Sequence, residues 1–296
     1  MEYIIDENYD GVRLDRFLRK MLPNTPLTEI FKSLRVGNIK LNGKKAKENA
    51  RVVKGDLIKI FKLSGASLEE KENLEKLKTD FIELSNKDLE MIKKGIIFED
   101  ERVVIFNKPC GIVMHTGSGH EYGLNEMLIS YYKNPNLAFV NRIDKETSGM
   151  VIAAKTLPCA RELSEEIREN RVDKRYYILV DGVVKNKKFT KSSYLKKTET
   201  GVIELSSYEQ GAKESITHFE VVKIIGSRTL LIGQLDSGRT HQLRVQLSSM
   251  GYPIVGDKKY NPKTKTRKML LHSYYLDIKK YNLKFELPIP DDFLNL

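Results

Sequence analysis

The sequence predicts an α+β fold: a small helix-plus-sheet module, then a larger domain built on a mixed, largely antiparallel sheet with flanking helices. Three observations lead there. The length of 296 residues suits about two domains. The first 62 residues carry two short helix patterns followed by strand and turn patterns. From residue 96 onward, strand patterns succeed one another through short loops, with too few helices between them for a regular βαβ repeat.

In the module, "RLDRFLRKML" puts Leu14, Phe17, Leu18 and Met21 on one helical face. "PLTEIFKSLRVG" predicts a second helix, with Pro26 near its start, Ile30, Phe31 and Leu34 on its apolar side and Gly37 as its stop. "NIKLNGKK" reads as a strand entering an Asn-Gly turn, and "ARVVKGDLIKIF" as two short strands around Lys54-Gly55-Asp56. Residues 63–95 are expected to be a linker, because 64–80 are polar and charged. In residues 96–296, strands are predicted at "RVVIFN", "GIVMH", "MVIAAK", "RYYILVDG", "ITHFEVVKII", "TLLIGQL" and "MLLHSYYLDI". Helices are predicted at "GLNEMLISYY", "PCARELSEEIREN" and "RTHQLRVQLSSM".

The formal net charge is +11. It is concentrated in residues 1–62 (14 Lys/Arg against 8 Asp/Glu) and in 96–296, while 63–95 are net negative. Such a balance favours a polyanionic partner, since cations set on phosphates release counterions. No apolar run approaches the roughly 18 residues of a membrane span. The N-terminus lacks the basic-then-apolar layout of a signal peptide, and the two cysteines, Cys110 and Cys159, have no metal or framework spacing. A cytoplasmic protein without a membrane partner is expected.

The metal motifs H-E-x-x-H and C-x-x-C and the EF-hand loop are absent from the sequence, so no metal or other cofactor is expected. "GSGHEYG" at Gly117–Gly123 lacks phosphate-loop spacing and reads as a turn. "TSG" around Ser148 is not a nucleophile elbow, which argues against a triad with His241. One polar constellation remains: Arg142 and Asp144 in the turn "NRIDKETSG", Tyr176 in "KRYY", and Arg239, Gln242 and Arg244 in "SGRTHQLRVQL". By residue type alone, Asp144 could equally cap a turn, and Tyr176 could be core.

The motifs settle between those readings. "NRIDKETSGMVIAAK" resembles the H-R-L-D-x-x-T-S-G signature of RluA-type RNA pseudouridine synthases. "NKPCGIVMHTGSG", "KRYY", "SGRTHQLRVQLSSMGYPIVGDKKY" and "LLHSYYL" resemble that family's other motifs, in the same order. Residues 13–62 resemble the alpha-L RNA-binding module, and the whole is most similar to RluC-type enzymes, which act on large-subunit ribosomal RNA. The resemblance implies isomerisation of uridine to pseudouridine in RNA, without a cofactor and by a monomer. It implies Asp144 as the catalytic carboxylate, held by Arg244, with Arg142, Tyr176, Arg239 and Gln242 contacting substrate. Arg13, Arg16, Lys32, Arg35, Lys44 and Lys45 would meet RNA in the module. Three positions depart from the pattern: Asn141 and Gln246, each where histidine is usual, and Ser237 for threonine. Asn141 is expected to fix its loop as a hydrogen-bond donor. A non-catalytic RNA-binding assembly factor of the same fold remains the alternative, and a nucleoside hydrolase would want a second carboxylate, for which Asp181 and Asp257 are the candidates.

Overall fold

The computed structural model describes all residues except 24, 62, 64–80, 117–121, 200 and 296. The middle of the expected linker and most of the glycine-rich turn at 117–123 therefore lie outside the described residues.

The module is a three-stranded antiparallel sheet, ordered β1 (Glu2–Ile4), β3 (Leu57–Ile60), β2 (Ile39–Leu41), packed on helices α1 (Leu14–Met21) and α2 (Leu27–Val36). Leu14, Phe17 and Leu18 from α1 meet Ile30 and Leu34 from α2 in one buried cluster with Ile39 and Ile58. Gly37 ends α2 in the left-handed conformation, and its N–H returns to the carbonyls of Ser33 and Leu34. Asn42 and Gly43 both have positive φ, as the predicted two-residue turn requires. Of the two strands expected in "ARVVKGDLIKIF", only β3 forms. Val52 instead exchanges backbone hydrogen bonds with the loop residues Gly11 and Val12, which offer no ladder to extend.

Among the described residues the larger sheet has 11 strands, in the order β10 (Val202–Leu205), β9 (Lys188–Lys197), β11 (Lys213–Ile225), β12 (Arg228–Leu235), β8 (Val172–Asp181), β13 (Leu271–Ile278), β7 (Ser148–Ala154), β5 (Val103–Lys108), β4 (Ile96–Glu99), with β14 (Leu283–Glu286) beside β13 and β6 (Ala138–Phe139) beside β7. Every pairing is antiparallel except β13 (Leu271–Ile278) with β7 (Ser148–Ala154). All seven residues of β7 are buried. Val151 and Ala153 join one core, while Met150, Ile152 and Ala154 join the other. That two-sided burial explains its unbroken apolar run. Helices α3 (Asn86–Gly95), α4 (Leu124–Tyr132) and α6 (Gln242–Ser249) contribute Ile92, Met127, Leu128, Leu243 and Leu247 to the first core, and α5 (Leu157–Arg168) contributes Cys159 and Leu163 to the second.

Several elements differ from expectation. Helix α3 lies inside the stretch read as linker: Ser85 and Asp88 form a capping box, and Ile92 is fully buried. "GIVMH" is not a strand. Its Val113 and Met114 carbonyls accept the first N–H groups of α4, and Lys108 Nζ draws in the carbonyls of Pro109 and Ile112. Strand β9 (Lys188–Lys197) forms near the sheet edge from sequence too polar to show a strand pattern, and the four-residue β10 (Val202–Leu205) pairs with it as the edge strand.

Candidate active site

The site lies where β7, β8 (Val172–Asp181), β12 (Arg228–Leu235) and β13 run side by side. The loop before β7 carries Arg142 and Asp144. Gly149 follows in β7 at φ +111°, against the Ser273 backbone, where a Cβ would collide with the Ser273 carbonyl. Only glycine allows β7 and β13 to approach in this way. Lys108, with no exposed surface, pins the loop from behind: its Nζ donates to the carbonyls of Pro109, Ile112 and Lys145 at 2.9–3.0 Å. Burial pushes its pKa down to about 8.

A cleft of about 120 Å³ gathers Arg142, Asp144, Tyr176, Arg239, Gln242 and Arg244, which are the six positions singled out in the sequence. Asp144 is the only carboxylate lining it among the described residues. Its Oδ2 accepts from Arg244 NH1 at 2.9 Å, and His241 Nε2 stands 3.7 Å away. Arg244 is held from the other side by Asp257, through Nε to Oδ2 and NH2 to Oδ1, both 2.8 Å. Asp257 has no exposed side-chain surface, against 29% for Asp144. Burial disfavours the Arg244 charge, but the hydrogen bonds and charge of Asp257, then Asp144, outweigh it and raise its pKa above the ordinary value. Burial lowers the pKa of His241, and Arg244 and Lys259 add to that, so it is neutral beside Asp144 at neutral pH.

Tyr176 is buried in the floor, and its phenol is pushed up to about 12 by desolvation. It is a neutral aromatic surface. Arg142 and Arg239 are exposed at the rim. Arg142 has no ion-pair partner among the described residues, while Arg239 Nε donates to the Glu214 carbonyl at 3.3 Å. The direct substrate contact expected of Gln242 gives way to a different role. Its amide is buried, with Oε1 accepting from Ser237 Oγ and the Arg239 N–H and Nε2 donating to Ile216 O and Thr217 Oγ1. Its hydrogen-bonding capacity is used inside the protein. Asn141 fixes its loop as expected, but as an acceptor: Oδ1 takes the Ile152 N–H at 2.8 Å. In the module, Arg13, Arg16, Lys32, Arg35, Lys44 and Lys45 are all exposed, with Arg13 engaged by Asp15 through two bonds of 3.0 and 2.7 Å.

Sequence reasoning weighed Asp257 only as the second carboxylate of a hydrolase and His241 only for a triad it set aside, and it did not single out Tyr260. Tyr260 OH lies 2.8 Å from His241 Nδ1, and its ring faces the Arg244 guanidinium at 5.1 Å. The spacing D-x-x-Y was the available signal. It places Asp257 and Tyr260 in one turn, where Asp257 Oδ1 also accepts the Lys259 and Tyr260 N–H groups.

A profile for the RNA pseudouridylate synthase family matches residues 102–249, a span that holds this whole cleft except Leu271. The chain belongs to that family. The synthase is thus an isomerase acting on RNA. It is 36% identical over 261 residues (88% of this chain, 80% of the relative) to "Ribosomal large subunit pseudouridine synthase C" of Buchnera aphidicola subsp. Baizongia pistaciae. It is 32% identical, over 99% of this chain and 90% of the relative, to the protein of the same name in Vibrio parahaemolyticus. Among solved structures it resembles human RNA Pseudouridylate Synthase Domain Containing 1, with a TM-score of 0.57 and 26% identity over 68% of this chain and 84% of that one. Among the described residues of the synthase, no helix is long and apolar enough to cross a membrane, and no three His, Cys, Asp or Glu are placed to hold a metal ion.

Proposed function

We propose that this synthase converts specific uridines of large-subunit ribosomal RNA to pseudouridine in the cytoplasm, with Asp144 as the catalytic carboxylate. One observation carries the assignment of Asp144: among the described residues it is the sole carboxylate lining a cleft whose other polar groups are cationic or neutral. The relatives' names support the choice of RNA.

In the reaction the N1–C1′ bond breaks, the uracil turns, and C5 bonds to C1′. The C5 proton leaves and N1 gains one, so atoms and electrons balance without an oxidant. Positive charge grows on the ribose as the first bond breaks, and Asp144 meets it as an ionised group. Arg244 holds that carboxylate in place with a charge-assisted hydrogen bond. A paired uridine must leave its stack to reach the cleft. Tyr176 then offers a neutral ring to the flipped uracil, and Arg142 and Arg239 at the rim hold phosphates or fill the gap left behind. The exposed cations of residues 1–62 add sequence-independent affinity.

The test is tritium release from C5-labelled uridine in ribosomal RNA, joined to pseudouridine mapping in a strain lacking the gene. Asp144→Asn should fold, bind RNA and release no tritium. Substantial turnover by that variant would remove Asp144 from the chemistry. Free uracil as product would mean hydrolysis, and intact mapping in the deletion strain would mean a different RNA.

A further inference from the structure

Residues 96–296 are net +7, and ten of them in a row, "KKYNPKTKTR" at 258–267, carry +5 with no acid among them. Lys258, Lys259, Lys263, Lys265 and Arg267 are all exposed. Lys268, next in line, is paired with Asp292, but the five cations before it have no carboxylate partner among the described residues.

On a loose segment such a run would only attract water. This segment is tied down. Gly256 opens it at φ +81°, where a Cβ would collide with the Lys268 carbonyl at the other end, so the two ends of the loop meet. The Gly256 N–H donates to Thr264 Oγ1 at 2.9 Å, and the Thr264 N–H to the Asn261 carbonyl at 3.1 Å. Asn261 is buried, and its Nδ2 donates to Asp181 Oδ2 at the end of β8 and to Ile254 O. The loop is folded on itself and fastened to the sheet, so its cations are held in place before any partner arrives.

The same loop borders the catalytic centre. Its first residue, Asp257, holds Arg244, and Tyr260 holds His241. Its last residues lead into β13, which pairs in parallel with β7 through His272 with Ser148 and Ser273 with Gly149. Parallel strands in register begin at the same edge of a sheet. The basic loop before β13 and the Arg142–Asp144 loop before β7 therefore emerge side by side.

We infer that the loop 257–268 is an RNA-docking surface that grips the backbone phosphates flanking the flipped uridine. The inference rests on the reading of the cleft as a uridine site. Five like charges fixed within ten residues repel one another, and a row of phosphates relieves that repulsion while releasing counterions. Exposed cations spread along a loop suit a chain of phosphates, not one small anion in a pocket. The loop and the module thus grip the RNA separately, the loop beside the reacting nucleotide.

The experiment uses the full chain in the Asp144→Asn background, with large-subunit ribosomal RNA transcribed in vitro as the probe. Lys263→Gln/Lys265→Gln/Arg267→Gln should flatten the plot of log affinity against log salt by roughly 1.4–2.1, two or three phosphate contacts at about 0.7 each, with thermal unfolding unchanged. A charge-matched control, Arg161→Gln/Lys279→Gln/Lys284→Gln, removes three exposed cations from α5 and from the far end of β13, and should leave the slope as it is. With Asp144 restored, the loop variant should need about tenfold more RNA for half-saturation. An unchanged slope in the loop variant would give the loop to another partner, equal flattening by the control would mean a general effect of charge, and a loss confined to the saturated rate would mean a role in chemistry. Each would overturn the inference. The expected flattening in a protein that makes no pseudouridine would instead sink the proposed catalysis and leave the loop an RNA contact.

Discussion

Replacing Arg244 by methionine removes one guanidinium from between two carboxylates that differ in their access to water. Asp257 has no exposed side-chain surface and would lose two bonds of 2.8 Å. Its Oδ1 keeps the Lys259 and Tyr260 N–H groups at 3.1 and 3.2 Å, but Oδ2 is left without a protein donor. Breaking a buried pair in this way costs about 3–5 kcal/mol. Asp144, at 29% exposure, can recruit water in place of its single 2.9 Å bond, so its share is about 1 kcal/mol or less. The expected melting loss is on the order of 10 °C. Single-turnover rates should fall by about 100-fold, as Asp144 loses the group that aims it. Adding Asp257→Leu removes the orphaned charge. Arg244→Met/Asp257→Leu should therefore recover most of the stability and none of the rate. Thermal unfolding and rapid-quench kinetics on wild type, Arg244→Met and the double variant decide it. Wild-type stability in Arg244→Met, or restored turnover in the double variant, would refute the division of labour between the two carboxylates.

Other outcomes follow from the same geometry. Asn141→Leu orphans the Ile152 N–H, and should cost about 1–3 kcal/mol and slow turnover, whereas Asn141→His, able to accept through a ring nitrogen, should stay near wild-type rates; a large gain on introducing histidine, titrating near its ordinary pKa, would give the position a chemical role instead. His272 is buried against Ser148 Oγ at 2.9 Å, and burial lowers its pKa to about 4. The unfolded chain then takes up that proton first, near pH 6.5, so about 3 kcal/mol of stability, complete above pH 6.5, should be lost as pH falls toward 4; urea unfolding of wild type and His272→Gln across that window should differ in slope by up to one proton. Neutralising Arg16, Lys32 and Arg35 together should weaken RNA binding and reduce its salt slope by roughly 0.7 per lost phosphate contact, with thermal stability unchanged; an unchanged slope would place the RNA elsewhere on the module.

The module helices, the α+β class and the motif residues of the cleft were legible in the sequence because each is written locally. The face of α1 repeats every three or four residues, the Asn42-Gly43 turn needs two positive φ values, and "NRIDKETSG" carries Arg142 and Asp144 within three positions. What tertiary structure alone decided is which of those charges is buried and by what. Asp257 looked like one more turn acid until the fold brought it against Arg244, with Asp144 facing the same guanidinium from 100 positions away in sequence. Gln242 looked like a substrate ligand because it neighbours arginines, yet its amide is used up on Ile216 and Thr217 of one preceding strand and on Ser237 and the Arg239 N–H just before it. Helix α3 and strand β9 escaped detection because their charged sequence satisfies water on one face, and only long-range packing tells the other face where the core is; β10, four residues long, is too short to show a period. Periodicity reports how a segment divides apolar from polar. It holds no information about which distant carbonyl, such as those at Val113 and Met114 that cap α4 instead of joining a sheet, will find a donor first.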